Sequence, residues 1–147
     1  MKYKLDATDK QIISLLQKDA KMTTQAIANK VSLSKTAVFE RIRKLEKEKV
    51  IKHYTAVVDP FKTNQGFLAF CMVQLEKHTQ QYLIDFEKNI TKIPEILECY
   101  HVSGTYDYLL KIRLKDISEY REFMVNTLTQ IPHIANTQSA FSIGEIK

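Results

Sequence analysis

Ser34-Lys35-Thr36-Ala37-Val38-Phe39-Glu40-Arg41-Ile42-Arg43-Lys44-Leu45-Glu46-Lys47 carries two stripes at helical spacing. Val38, Ile42 and Leu45 recur at i, i+4 and i+7, which predicts a helix with one apolar face. Ser34 is a good N-cap, because its hydroxyl accepts from N–H groups that the first turn leaves free, so the helix runs from Lys35 to about Glu48. At about 100° per residue, Thr36, Glu40, Arg43 and Lys47 form the opposite, outward stripe. Lys35 and Phe39 flank that stripe near the helix start.

Upstream, Ser32-Leu33-Ser34 interrupts the chain and separates this helix from a shorter one. Thr23 caps the short helix, Thr24 to about Lys30, with Ile27 and Val31 at i, i+4 and with Ala26 and Ala28 small enough for close approach. Earlier still, Thr8 or Asp6 caps a helix bearing Ile12, Ile13, Leu15 and Leu16. A supporting helix, a short helix, a tight turn and a longer helix follow the order of a helix-turn-helix unit. An ordinary three-helix core with a charged surface has the same periodicity. Charge distinguishes the two readings. Of the net +5, residues 1–60 hold 13 Lys/Arg and 7 Asp/Glu, and residues 61–147 hold 9 and 10. The positive excess is confined to the first 60 residues, as expected for a surface that neutralises phosphates.

Downstream of Lys49 the period changes. Val50–Val58 reads as a strand, stopped by Asp59-Pro60, and Phe61 to Gly66 as a linker. The second half repeats itself. Gln81-Tyr82 through Ile96 aligns with Glu119-Tyr120 through Ile134, matching Tyr82 to Tyr120, Thr91 to Thr129, Ile93-Pro94 to Ile131-Pro132 and Ile96 to Ile134. Each copy is preceded by a strand, Phe67–Leu75 or Tyr108–Leu114, and followed by one, Ile96–Val102 or Ile134–Ile143. Asp116-Ile117-Ser118-Glu119 is a capping-box pattern for the second helix. Two such units with helices on one face make a ferredoxin-like βαββαβ sandwich. The fold class is therefore α+β: a three-helix, winged helix-turn-helix domain over residues 1–64, then an α+β domain over 65–147. Phe67, Ala69, Cys71 and Val73 alternate with Leu68, Phe70 and Met72, so the first strand is apolar on both faces. Such a sheet is expected to pack against a second copy.

Composition excludes several classes. The chain has 147 residues, 44% of them apolar, with three Gly and three Pro, which argues against disorder and against Gly-rich phosphate loops. No stretch approaches the ~18 uncharged apolar residues of a membrane span. The start, Met1-Lys2-Tyr3-Lys4-Leu5-Asp6, lacks a secretory apolar run, and the expected location is cytoplasmic. Cys71 and Cys99 lie in apolar runs and read as buried thiols. His53, His78, His101 and His133 have no metal-ligand spacing. No cofactor is expected, and no nucleophile–base pair can be argued from the spacing, so catalysis is the weaker class. Gly104 reads on spacing alone as a turn glycine with positive φ, and Asp107 as a surface turn acid.

Leu5-Asp6-Ala7-Thr8-Asp9 with Ile12-Ile13 and Leu15-Leu16 resembles the opening of the Lrp/AsnC (leucine-responsive/asparagine-operon regulator) family. Leu33-Ser34, Val38, Arg41-Ile42, Leu45-Glu46 and Val50-Ile51, with Tyr54-Thr55-Ala56-Val57-Val58-Asp59-Pro60, is similar to its recognition helix and following strand. Val102-Ser103-Gly104-Thr105-Tyr106-Asp107-Tyr108-Leu109-Leu110 is similar to its ligand-loop signature. The likeness spans nearly the whole chain. It departs where the family usually has Gly and this chain has Lys49, His53 and His133.

A sequence-specific transcriptional regulator is thus expected, with duplex DNA as partner. The alternative is a small-molecule-binding or enzymatic α+β domain with an incidental basic N-terminus. Lys35, Thr36, Phe39, Glu40 and Arg43 are candidate contacts at or near base edges: Arg to guanine, Glu to a cytosine amine, Phe or Thr to a thymine methyl. Lys30, Lys44 and Lys47 are candidate phosphate contacts, and Ser34 lies at the helix start among them. The resemblance further implies dimers, often discs of four dimers, and an amino-acid effector bound between neighbouring dimers. The matching positions are Tyr100, Gly104, Thr105, Tyr106, Asp107, Thr137, Gln138 and Ser139. Asp107 suits an ammonium group, N–H groups near Gly104 suit a carboxylate, and His133 stands at the edge of that pocket.

Overall fold

The computed structural model describes residues 3–146, so Met1, Lys2 and Lys147 of the sequence reading lie outside it. The chain divides into two compact units, one ending at Val57 and one beginning at Val58.

The first unit holds three helices: α1 (Ala7–Lys18), α2 (Thr24–Val31) and α3 (Lys35–Lys47). Each starts on a side chain that the sequence offers as a cap. Asp6 accepts from the Asp9 N–H in a reciprocal capping box, Thr23 from the Ala26 N–H and Ser34 from the Ala37 N–H. The apolar stripes converge on one core of Ile12, Leu16, Ile27, Ala28, Val38 and Leu45, with Ile42 and Val31 packed at its edge. Full burial of Ile12, Ile27, Val38 and Leu45 contributes roughly 1.5–3 kcal/mol each.

Left-handed residues bracket α3. Ser32 ends α2 at φ 55°, and Lys49 follows α3 at φ 53°. The Val50 and Lys49 N–H groups donate back to the Leu45 and Glu46 carbonyls, a Schellman arrangement that a glycine normally completes. The tight turn after α3 therefore forms with lysine in the glycine position. His133 likewise adopts φ 71°, whereas His53 is not among the left-handed residues.

The second unit is a four-stranded antiparallel sheet with two helices. Its order along the chain is β1 (Phe67–Leu75), α4 (Gln80–Ile90), β2 (Ile96–His101), β3 (Tyr108–Leu114), α5 (Ile117–Asn126), a 3₁₀ turn (Leu128–Gln130) and β4 (Ile134–Phe141). The spatial order β2-β3-β1-β4 is the ferredoxin-like arrangement that the internal repeat predicts. Period two sorts the strands into faces. Ala69, Cys71, Val73 and Leu75 of β1 join Tyr108, Leu110, Ile112 and Leu114 of β3 under Phe86, Ile90, Tyr120 and Phe123 of the helices. Leu68, Phe70 and Met72, with Leu109, occupy the other face and stay half-buried.

Three local expectations change. Val50–Val58 forms no strand, because the described residues of the first unit offer no neighbouring strand to complete a ladder; its backbone is open, and Val57 is 98% exposed. Cys99 is an exposed thiol, because β2 is an edge strand, although partial desolvation still pushes the thiol up to about 11, with the Glu87 charge adding to it. Asp116 caps α5 through the Ser118 and Glu119 N–H groups, but the Glu119 carboxylate accepts from Lys115 N–H, one residue short of closing the box.

Holding a side-chain-bearing residue at positive φ costs about 1 kcal/mol. Lys49→Gly is expected to stabilise the first unit by about 0.5–1 kcal/mol, read as a higher urea midpoint at unchanged m-value. An unchanged or lower midpoint would show that the turn carries no such strain.

Candidate nucleic-acid interface and ligand loop

The core contacts of Val38 and Leu45 fix how α3 is turned. Thr36, Phe39, Glu40, Arg43 and Lys47 stand exposed on the opposite side, Phe39 by 54%, and Lys35 and Lys44 are exposed at the margins. Lys30 is exposed at the end of α2. The Ser34 hydroxyl is engaged as the N-cap. Glu40, Arg43, Lys44, Lys47 and Glu48 line one open cleft along the helix. Of the sequence-derived residues, Glu40, Arg43, Lys44 and Lys47 therefore share one surface, carried on a buried apolar stripe.

A polar cluster that the sequence did not reveal holds α3 to the start of α1. Arg41 Nη1 lies 2.7 Å from Asp6 Oδ2 and 2.7 Å from Asp9 Oδ1. The Tyr3 hydroxyl donates to Asp9 Oδ2 at 2.8 Å, and the Asp6 N–H donates to the same oxygen at 3.2 Å. Asp9 is only 1% exposed. Burial pushes its carboxyl up, but the Tyr3 hydroxyl, the Asp6 N–H and the Arg41 guanidinium outweigh burial and hold it below the usual range. Asp6 is held low by the Asp9 N–H and then by Arg41. Lys44 Nζ sits 4.6 Å from the centre of the Tyr3 ring. The available signal was an arginine three residues after Val38, on the inward flank of the helix. Its partners lie 32 and 35 residues away, beyond any periodic pattern.

In the second unit, Gly104 adopts φ 130° with open space where a Cβ would stand, so glycine is there for its backbone freedom. Asp107 is not a surface acid: it is 6% exposed. Its N–H donates to the Val73 carbonyl at 2.9 Å and its own carbonyl accepts from Val102 N–H at 2.8 Å. Its Oδ2 accepts from Leu75 N–H at 2.8 Å. The β1–β4 register slips between Gln74 and Leu75, and Asp107 satisfies the amide at that slip. Its Oδ1 meets Nε2 of the exposed His78 at 2.7 Å.

The remaining loop and strand residues fall on two faces. Tyr100, Leu109, Met72 and Gln138 form one row across the open face, and the Tyr106 hydroxyl donates to Gln138 Oε1 at 2.7 Å. The Tyr100 hydroxyl is bonded to Glu98, which also pairs with Lys111. Thr137 and Ser139 pair opposite Val73 and Cys71 on the helix-covered face, where Ser139 meets the Tyr120 hydroxyl. The His133 ring stacks on Tyr82 at 3.7 Å, and its Nδ1 lies 3.7 Å from Glu76. Among the described residues, no group of three or more His, Cys, Asp or Glu side chains could hold a metal ion. No described helix is long and apolar enough to cross a membrane.

Residues 5–46 match the AsnC-type helix-turn-helix domain, and residues 68–147 match the Lrp/AsnC ligand binding domain. The chain is 37% identical to the Bkd operon transcriptional regulator of Pseudomonas aeruginosa, covering 97% of this chain and 93% of that protein. It is 35% identical to the leucine-responsive regulatory protein of Escherichia coli strain K12, covering 97% and 87%. Among solved structures, a Neisseria meningitidis transcriptional regulator in complex with L-Met superposes at a TM-score of 0.91 with 30% identity, covering 98% of this chain and 93% of that one. An AsnC family regulator from Agrobacterium tumefaciens gives 0.91 and 34%, covering 97% and 93%. With both halves matched in order, and with a helix-turn-helix joined to a ferredoxin-like sheet, the chain belongs to the Lrp/AsnC family of DNA-binding transcriptional regulators.

Proposed function

We propose that α3 enters the major groove with Lys35, Thr36, Phe39, Glu40 and Arg43 at or near base edges. Lys30, Lys44 and Lys47 then meet phosphates, with Ser34 beside the backbone at the helix start. The observation that carries this is the exposed row of Thr36, Glu40, Arg43 and Lys47 directly opposite the buried Val38 and Leu45. A major groove about 12 Å wide admits one helix, so outward residues in the first two turns reach bases, and those on the Lys44 flank or at the C-terminal end reach the walls. Arg43→Ala is expected to cost ~1–3 kcal/mol at a selected cognate duplex and much less on random duplex. Equal weakening on both would make Arg43 a phosphate contact.

We further propose a C2 dimer through the open sheet face, and assembly of dimers into discs. Leu68, Phe70, Met72 and Leu109 on that face support it, since an apolar sheet surface is favourably covered by a like surface. A C2 dimer also offers two α3 helices to two half-sites. Sedimentation is expected to give at least twice the 17.1 kDa chain mass at micromolar concentration. A species of 17.1 kDa would end the proposal.

The effector is proposed to be a free amino acid held between dimers at Tyr100, the Gly104–Asp107 loop and Thr137–Ser139. The Neisseria relative in complex with L-Met supports that ligand class. The ammonium takes Asp107 Oδ1, displacing the exposed His78 ring, while Leu75 N–H keeps Oδ2. Thr105 and the N–H groups near Gly104 take the carboxylate. The protein acts in the cytoplasm and carries out no reaction on this ligand. Asp107→Asn keeps an acceptor for Leu75 N–H but removes the carboxylate, and is expected to weaken amino-acid binding by about tenfold or more, ~1.4 kcal/mol. His78→Ala is expected to bind at least as tightly as the parent. Parental affinity in Asp107→Asn, measured by calorimetry, would show that Asp107 is not the ammonium partner.

A further inference from the structure

The segment ahead of α1 lies against α3 as well as against the edge of the three-helix core, where Tyr3 and Leu5 pack. Arg41 and Lys44 are three residues apart, so they share one flank of α3. Arg41 holds Asp6 and Asp9, and Lys44 lies over the Tyr3 ring. Tyr3 is fixed in turn by its bond to the buried Asp9. Tyr3, Lys4, Asp6, Asp9, Glu40 and Lys44, with Arg41, line one open groove of about 390 Å³ on this flank. Glu40 and Lys44 also belong to the cleft that continues along the outward stripe to Arg43 and Lys47.

We infer that Tyr3 is a positioning residue for DNA binding and that Lys4 is a further phosphate contact. A helix with its side chains is 10–12 Å across and fills a major groove of about 12 Å, so a segment lying on its flank meets the phosphate wall. Lys44 sits one position, about 100°, around from Arg43, on that flank. The Tyr3 ring face attracts the Lys44 ammonium electrostatically and restricts where it goes. Lys4 is exposed beside it. The guanidinium of Arg41 lies between the carboxylates of Asp6 and Asp9, which lowers the repulsion these acids exert on a phosphate. Glu40 is the one acid on the groove without a described basic partner, and it faces the side assigned to bases.

This inference rests on the placement of α3 in the major groove, and the test separates the two. Binding of the full chain to a mixed-sequence duplex is measured over a range of salt, where each phosphate contact contributes a slope of about 0.9 in log K against log [salt]. Lys4→Ala is expected to reduce the slope by about one contact. Tyr3→Ala is expected to reduce it by one to two contacts, because Lys44 loses its seat on the ring and the segment carrying Lys4 loses its bond to Asp9. Tyr3→Phe keeps the ring and is expected to fall between Tyr3→Ala and the parent. Lys18→Ala, at the far end of α1, is expected to keep the parental slope. If Tyr3→Ala unfolds, as circular dichroism would reveal, Lys4→Ala still decides. A parental slope for Lys4→Ala overturns the inference while leaving the α3 interface standing. A parent chain that binds no duplex overturns both.

Discussion

A buried carboxylate sets the geometry of the DNA-binding unit. Taking Asp9 out of water costs several kcal/mol unless its oxygens are met. They are met from three directions: the Tyr3 hydroxyl, the Asp6 N–H and the Arg41 guanidinium. One of these comes from α3. Apolar packing tolerates small rotations of one helix against another, but a charge-assisted bond at 2.7 Å does not. The outward stripe of α3 is therefore aimed by the combination of a greasy face, which holds it down, and an ionic clamp, which sets its turn about the axis.

Both ends of α3 add to this rigidity. Ser34 caps its start, and Lys49 in the left-handed region closes its end through the Leu45 and Glu46 carbonyls. The backbone reverses sharply on each side, so the exposed residues lie on one turn-bounded rod. Recognition of bases needs side chains held to within about half an ångström, which elements supply better than loops.

The elements were largely legible from the sequence, because caps and periods are local signals. Asp6, Thr23 and Ser34 each preceded an apolar stripe, and the Ile93-Pro94 and Ile131-Pro132 turns marked two copies of one strand-helix-strand unit. What was not legible depends on distant or missing neighbours. Val50–Val58 has strand composition, yet strand pairing needs a second strand that its own unit does not supply. Arg41 carried no local sign that it would meet Asp9. Cys99 alternates correctly for the helix side of β2, but β2 lies at the edge of the sheet, beyond full helix cover. Of the proposed ligand positions, spacing shows that Thr137 and Ser139 share a face. It did not show that Gln138 joins Tyr106 and Tyr100 across the other one.

That division of faces bears on how the proposed effector site is linked to the proposed dimer face. Loop 102–107 is hooked to β1 at two points, the Val73 carbonyl and the Leu75 amide, both through Asp107. β1 is a central strand, paired to β3 on one side and β4 on the other, and its alternate residues Leu68, Phe70 and Met72 form the open apolar face. Whatever occupies Asp107 Oδ1 shares the carboxylate with the end of β1, whose Leu75 N–H holds Oδ2. The effect on assembly is limited to the difference in ligand affinity between assembly states. The structural requirement is modest: a loop tied by hydrogen bonds to the strand that carries the proposed association surface, so that ordering one restricts the other.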